Sequence, residues 1–192
     1  IALNDLLEEG MPLHPLDEQK KSVNEWKQIG LGVMGIADML IKLGIEYGSD
    51  DSLHLCDEIG SMMATEALYA SRDLATGLGK FPKCDMEEIL HTEFFQRHIQ
   101  PDPVIWEEFF YDGLRNSQLL TIAPTGTLST MLGISGGIEP IFANSYTRTT
   151  KSLHGEDVTY KVYTPIVQKY MEANNIEDDS ELPNYFVTAQ NI

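Results

Sequence analysis

Between Gln118 and Pro140 the chain reads QLLTIAPTGTLSTMLGISGGIEP, and the residues in it that could do chemistry are Thr125, Gly126, Thr127 and Ser129. A short apolar run, Leu119 to Ile122, is ended by Pro124, which has no N–H for a strand ladder. Leu128, Met131 and Leu132 then have the spacing of a helix beginning. A strand that feeds a Gly/Thr/Ser loop into a helix start can hold a phosphate. Unbonded backbone N–H groups and the positive end of the helix dipole both face the anion there. Hydroxyls at Thr125, Thr127 and Ser129 would add donors without charge. The same letters also fit an ordinary helix cap, since Thr and Ser cap helices with or without a ligand.

Other residues need the same scrutiny. Gly30-Leu31-Gly32-Val33-Met34-Gly35 is a formal GxGxxG, with Asp50 and Asp51 about twenty residues on. It opens a rival reading, a nicotinamide-type dinucleotide site on Gly30, Gly32 and Gly35. That fingerprint requires a buried strand before its first glycine. Here the preceding KKSVNEWKQI is charged and periodic, as a helix is. His91 and His98 could share a helix face but have no third ligand at a suitable spacing, so no metal is expected. Glu107 and Glu108 are adjacent and diverge on a helix, which suits a solvated face rather than an acid–base pair. Arg148 and Lys151 are among the few cations near the loop and could help hold an anion, although a surface position is the simpler expectation for Arg148.

At 192 residues and 42% hydrophobic, the chain can bury one sizeable core and is expected to form a single unit over 1–192. A net charge of −17 argues against nucleic-acid partners, which need clustered Lys and Arg, yet leaves room for a small anion on backbone amides. No apolar run reaches membrane-span length, so no membrane partner is expected. The first residue is Ile rather than Met, and the chain reads as an excised or processed segment. Cys56 and Cys84 fit no CxxC or metal spacing; the first reads as a small core residue and the second as a loop thiol. Two such cysteines suit a reduced, cytoplasmic protein.

The elements that must position these residues follow from periodicity. A helix is expected from Asp17, as its N-cap, through Val23, Trp26 and Ile29, continuing through Val33, Ile36, Leu40 and Leu43 to a stop at Gly44. Ser49 to Asp51 cap the next helix, with an apolar stripe of Leu55, Cys56, Ile59, Met62, Met63, Ala67, Ala70 and Leu74. Asp85 to Phe95 reads as one amphipathic helix with Met86, Ile89, Leu90 and Phe94 inward. Beyond the breaker Gln100–Pro103, Val104 to Leu114 reads as another, with Trp106, Phe109 and Phe110. Gly136-Gly137 permits a sharp reversal. Ile141 to Thr147 reads as a strand and Tyr185 to Ala189 as a buried one. Thr164 and Pro165 open a helix to about Ala173 with Ile166, Val167 and Tyr170 inward.

Taken as an ordered set, three groups of residues carry a family resemblance. They are Arg115-Asn116-Ser117-Gln118, then Thr121-Ile122-Ala123-Pro124-Thr125-Gly126-Thr127, then Gly137-Ile138-Glu139-Pro140. They resemble the large catalytic subunit of ribonucleotide reductases, most like the adenosylcobalamin-dependent class II branch. Gln28 to Gly35 with Ala37 to Leu40, Tyr146-Thr147-Arg148 and Phe186 to Ala189 resemble it too. The resemblance implies an α/β fold, mainly helical over this stretch, forming part of a ten-stranded α/β barrel. It implies that Thr125, Gly126, Thr127, the Leu128 N–H and Ser129 close over the phosphates of a ribonucleoside di- or triphosphate substrate. It implies thiyl-radical reduction to deoxyribonucleotides, with a thioredoxin-type reductant and adenosylcobalamin or a metal-bearing partner subunit as radical source. The finger loop and reducing cysteines fall before the point matching Ile1, and the redox tail falls beyond Ile192. Cys56 and Cys84 therefore match no catalytic position, and this segment alone, without the rest of the reductase chain, is expected to bind no cofactor and be inactive. A non-enzymatic acidic helical interaction domain is the remaining alternative, with the threonine loop only a cap.

Overall fold

The computed structural model describes residues 1–150 and 157–192; Lys151 lies outside the described residues. In chain order the elements are α1 (Ala2–Gly10), a 3-10 turn (Met11–Leu13), α2 (Asp17–Trp26), α3 (Ile36–Leu43), α4 (Asp50–Leu78), α5 (Met86–Leu90), α6 (Glu93–His98) and α7 (Pro103–Asp112). They continue with α8 (Gly126–Leu132), β1 (Ser145–Thr150), β2 (Val158–Tyr163), α9 (Pro165–Asn174) and a 3-10 turn (Asp179–Glu181). Tertiary contacts divide the chain into two units, Ile1–Leu31 with Asp57–Thr121, and Gly32–Cys56 with Ile122–Ile192.

The core of the first unit is Leu68, Phe81, Met86, Leu90, Phe95, Ile99, Phe109, Leu114 and Leu119. Phe95 stands edge-on to both Trp106 and Phe109, a favourable ring geometry. Sequence expectations need correction here. The helix from Asp17 does not run to Leu43. It ends at Trp26, where Lys27 turns left-handed (φ 43°), and the glycine-bearing residues after it are not helical, Leu31 forming a β-bridge and Gly35 being left-handed. Ile29 and Leu31 donate to the carbonyls of Gln118 and Leu119, and Thr121 donates back to Leu31, each at 3.0 Å, as a short parallel pairing. Gly30 explains why the extended path wins. A Cβ there would sit 2.9 Å from Thr121 Cγ2, so the two segments meet only because position 30 has no side chain.

The long helix α4 also buries a different face from the one expected. Ala64, Leu68, Ser71 and Ala75 are buried, whereas Met62 is 68% exposed. Small residues at i, i+7 and i+11 of that face, Ala64, Ser71 and Ala75, let the neighbouring backbone approach, and Arg115 N–H donates to Ser71 O at 3.0 Å there. The single helix expected over Asp85–Phe95 is two. Thr92 interrupts it and caps α6 by accepting from the Phe95 N–H, which turns Phe95 inward and leaves Phe94 exposed. Asp102 caps α7 in the same way, with Pro103 at its first turn.

The second unit has its own core of Ala37, Ile41, Ile141, Ile166, Val167, Met171 and Phe186. Gly44, left-handed, stops α3 as expected. The strand expected from Ile141 begins only at Ser145; Ile141 instead makes one parallel bridge to Thr188, which among the described residues is also the pairing of the expected Tyr185–Ala189 strand. β1 and β2 form an antiparallel hairpin, with Tyr146 opposite Val162 and Arg148 opposite Tyr160. Thr164 and Pro165 open α9 as expected, burying Ile166, Val167 and Met171.

Candidate functional site

The Thr125–Ser129 loop lies wholly in the second unit, and it is not an ordinary helix cap. An N-cap residue normally has extended backbone and turns its side-chain oxygen onto the helix's first N–H groups. Thr125 does neither. Its backbone is left-handed (φ 51°, ψ 23°), and its side chain makes no capping bond. Its Oγ1 instead accepts the Gly137 N–H at 2.8 Å. For a β-branched residue this conformation is strained by about 1–2 kcal/mol, so surrounding contacts must hold it.

Those contacts come from Ser135–Gly137, which packs against the backbone of the loop. A Cβ on Gly136 would lie 2.9 Å from Pro124 O, and one on Gly137 would lie 2.7 Å from Ala123 O. Gly137 also has φ +45°. Both glycines are therefore demanded by packing. Gly126 is not, because it has nothing within 4 Å of a built Cβ and no positive φ. Space and backbone would both accept a side chain at 126.

On the outer side, Gly126, Thr127 and Leu128 are exposed. Their N–H groups are the first three of α8 and have no carbonyl one turn back. Ser129 is placed otherwise. It is buried, its N–H donates to Thr125 O at 2.8 Å, and its hydroxyl donates to Gly126 O at 3.2 Å. Thr130 donates to the same carbonyl at 2.7 Å. The two hydroxyls fix the Gly126 peptide.

The other sequence candidates do not join this loop. Arg148 is an exposed residue of β1. Glu108 pairs with Arg72 at 2.6 Å. His91 is exposed; burial and then the Arg97 charge hold the His98 imidazole below its ordinary pKa, against a weaker pull from Asp57. Burial pushes the Cys84 thiol up, despite its Leu114 backbone bond and Lys80, which is the opposite of an activated thiolate. Among the described residues no group of three or more His, Cys, Asp or Glu is placed to hold a metal ion. A cavity of about 360 Å³ in the first unit is lined by Leu68, Phe95, Asn116 and Leu119 among others, and by none of the loop residues.

The dinucleotide reading of Gly30, Gly32 and Gly35 fails on geometry. A pyrophosphate would need free N–H groups at the start of α3. There the Gly35 N–H donates to Ser135 O at 2.9 Å, and the Asp38 N–H points to Ser135 Oγ at 3.4 Å. The helix start is filled by protein.

That contact involves a residue whose part periodicity did not reveal. Asp38 is 6% exposed, and its carboxylate accepts the Ser135 N–H at 2.6 Å. The available signal was an acidic residue inside the apolar IADMLIKL, three positions after a glycine.

A family model described as the ribonucleotide reductase barrel domain matches residues 2–192. The vitamin B12-dependent ribonucleoside-diphosphate reductase of Thermoplasma acidophilum is 34% identical over 196 residues, 93% of this chain and 23% of that protein. The enzyme of the same name from Mycobacterium tuberculosis H37Rv is 34% identical over 141 residues, 73% of this chain and 17% of its own length. Among solved structures, the alpha subunit of the Actinobacillus ureae class Id ribonucleotide reductase superposes with a TM-score of 0.64. It is 21% identical, over 93% of this chain and 28% of that one, which supports the fold. This chain thus spans under a quarter of the length of these curated relatives. Its ordered motifs, its mainly helical frame and a family match reaching from Ala2 to the last residue agree: the chain belongs to the ribonucleotide reductase large-subunit family and is a segment of its barrel domain.

Proposed function

We propose that this segment supplies the substrate-phosphate loop of a ribonucleotide reductase, and that the protein containing it reduces ribonucleotides to deoxyribonucleotides in the cytoplasm. Gly126 carries the reading. Gly136 and Gly137 are required by neighbouring carbonyls, whereas Gly126 is a glycine that the folded chain itself does not need. It sits beside three helix-start N–H groups, so a ligand brought against the backbone accounts for it. The N–H groups of Gly126, Thr127 and Leu128 and the Thr127 hydroxyl hold the phosphate oxygens, Thr125 sets the angle of the loop, and Ser129 braces the Gly126 peptide from within. The loop positions and does not react. The relatives named above are diphosphate reductases, which favours a ribonucleoside diphosphate as substrate.

The same names favour adenosylcobalamin as the radical source over a metal-bearing partner subunit. Its chemistry would be homolysis to start the radical. No step here runs through it. A thioredoxin-type reductant and the remainder of the reductase chain complete the proposal.

The test is nucleotide reduction by the full-length protein. Thr127→Ala removes one phosphate donor and should raise KM by about tenfold with kcat nearly unchanged, the pattern of lost uniform binding. An unchanged KM would end the phosphate reading. The 192-residue chain alone should show no turnover, and any deoxyribonucleotide formed by it would contradict the proposal.

A further inference from the structure

The strained Thr125 raises the question of what holds the segment that holds it. Ser135 makes three hydrogen bonds to the start of α3. Its carbonyl accepts the Gly35 N–H at 2.9 Å, its hydroxyl lies 3.4 Å from the Asp38 N–H, and its own N–H donates to Asp38 Oδ2 at 2.6 Å. This is the reciprocal pattern of a capping box, in which a Ser hydroxyl meets the third helical N–H while that residue's side chain accepts the Ser N–H. Here the two partners are 97 residues apart in sequence. The helix start at Gly35 is left-handed and has no side chain to cap α3, so Ser135 serves as a cap delivered from elsewhere in the chain.

Asp38 is buried and stands in the first turn of α3. The helix dipole and the short bond to the Ser135 N–H stabilise the carboxylate there. A buried polar side chain is costly unless it is hydrogen-bonded, so its bond to the Ser135 N–H fixes position strongly. From Ser135 the chain enters Gly136, packed on Pro124 O and Ser129 Oγ, and Gly137, whose N–H holds Thr125 Oγ1 at 2.8 Å. Beyond it the Tyr47 hydroxyl donates to Ile138 O at 2.8 Å and ties down the other end. Every one of these residues belongs to the second unit.

We propose that Asp38 is a positioning residue for the phosphate loop: by accepting the Ser135 N–H it anchors the Ser135–Gly137 strap, whose Gly137 N–H holds Thr125 in its left-handed conformation. Asp38 touches no substrate. Its action passes through four residues and ends in the orientation of the Gly126–Leu128 N–H groups. The inference rests on the phosphate reading above for its consequence, and on hydrogen bonding alone for its mechanism.

The experiment compares Asp38→Ala and Asp38→Asn in the full-length protein, by amide hydrogen exchange and by nucleotide reduction. Asn keeps an oxygen that can accept the Ser135 N–H; Ala does not. Asp38→Ala should speed exchange in 123–129 and 134–139 by about tenfold or more and raise KM for a ribonucleoside diphosphate about tenfold, leaving kcat within twofold. Asp38→Asn should restore both to near wild type. A merely structural role would lower thermal stability without this KM-selective pattern. If Asp38→Ala left exchange in the two segments unchanged, the anchor would be overturned. It would equally be overturned if Asp38→Asn behaved like Asp38→Ala. If exchange responded as expected while Thr127→Ala and Asp38→Ala both left KM untouched, the anchor would stand and the phosphate reading would fall.

Discussion

Lys27 and Thr125 are both left-handed residues that are not glycine, at φ 43° and φ 51°, and they illustrate two uses of the same strained backbone. Lys27 closes the C-terminus of α2, where a left-handed residue is the common way for a chain to leave a helix. Its N–H bonds Val23 O at 2.8 Å, its carbonyl accepts Asn116 Nδ2 at 2.9 Å, and its ammonium bonds Glu8 Oε1 at 2.8 Å. Every polar group of the residue is thereby spent on the first unit's own structure. Thr125 stands at the start of α8, where left-handed backbone does nothing for the helix. One strained residue serves the fold; the other stands beside exposed residues at a helix start, and on the proposed function it serves the ligand they meet.

Breaking the network around Lys27 should have the larger effect on stability. Arg115, with 9% of its side chain exposed, donates to the carbonyls of Leu78 and Gly79, to Asn4 Oδ1 and to Glu8. Arg115→Ala would leave the Leu78 and Gly79 carbonyls without that donor and Glu8 with Lys27 alone, and is expected to cost about 3–5 kcal/mol in a denaturant titration. Arg115→Lys should recover little, because an ammonium cannot span that fork of acceptors. Both variants should leave Gly126–Leu128 amide exchange unaltered if the two units' networks are independent.

The glycines of the second unit offer an internal control. Gly137→Ala combines a positive φ with a contact 2.7 Å from Ala123 O, and should cost roughly 2–4 kcal/mol. Gly126→Ala meets open space, so its stability should change by no more than about 0.5 kcal/mol. Its nucleotide KM should nonetheless rise several-fold. Equal stability losses at 126 and 137 would erase the distinction between packed and ligand-facing glycines.

Much of this could be read in the sequence, and the parts that could not share a physical cause. Thr164-Pro165, Gly44 and the breaker at Pro101–Pro103 announce their boundaries locally, because caps and prolines act within one turn. The resemblance pointed to Thr125–Ser129 through residue order. What escaped depends on partners far away in the chain. The helical period through Ile29 and Val33 is real, but the pairing with Gln118–Thr121 and the approach of Thr121 to Gly30 override it. The face that α4 buries is chosen by Arg115 and Asn116, which use Ser71 as acceptor. The Asp38–Ser135 pair spans 97 residues, so no window could connect them.

A smaller effect would sharpen the contrast further. Burial works to raise the Glu8 carboxyl, but the hydrogen bonds and charges of Lys27 and Arg115 outweigh it and hold the carboxyl below its ordinary 4.5. A carboxylate whose pKa is depressed on folding binds protons more readily when unfolded, so its contribution is complete above the unfolded pKa. That contribution is lost as pH falls through the folded one. The stability of the wild type should therefore be level near neutrality and decline below about pH 4.5. Glu8→Gln, which keeps an acceptor but cannot titrate, should be less stable at pH 7 and should converge with the wild type in acid. Glu8 is about a third exposed, so the difference should be modest. It should also be confined to the first unit: urea unfolding of the two proteins at pH 7 and pH 3, followed at Trp26 and Trp106, tests the convergence. If the gap between them persisted at pH 3, Glu8 would be holding α1 by shape and hydrogen bonding rather than by charge, and the network around Lys27 would differ less from that around Thr125 than the ion pairs imply.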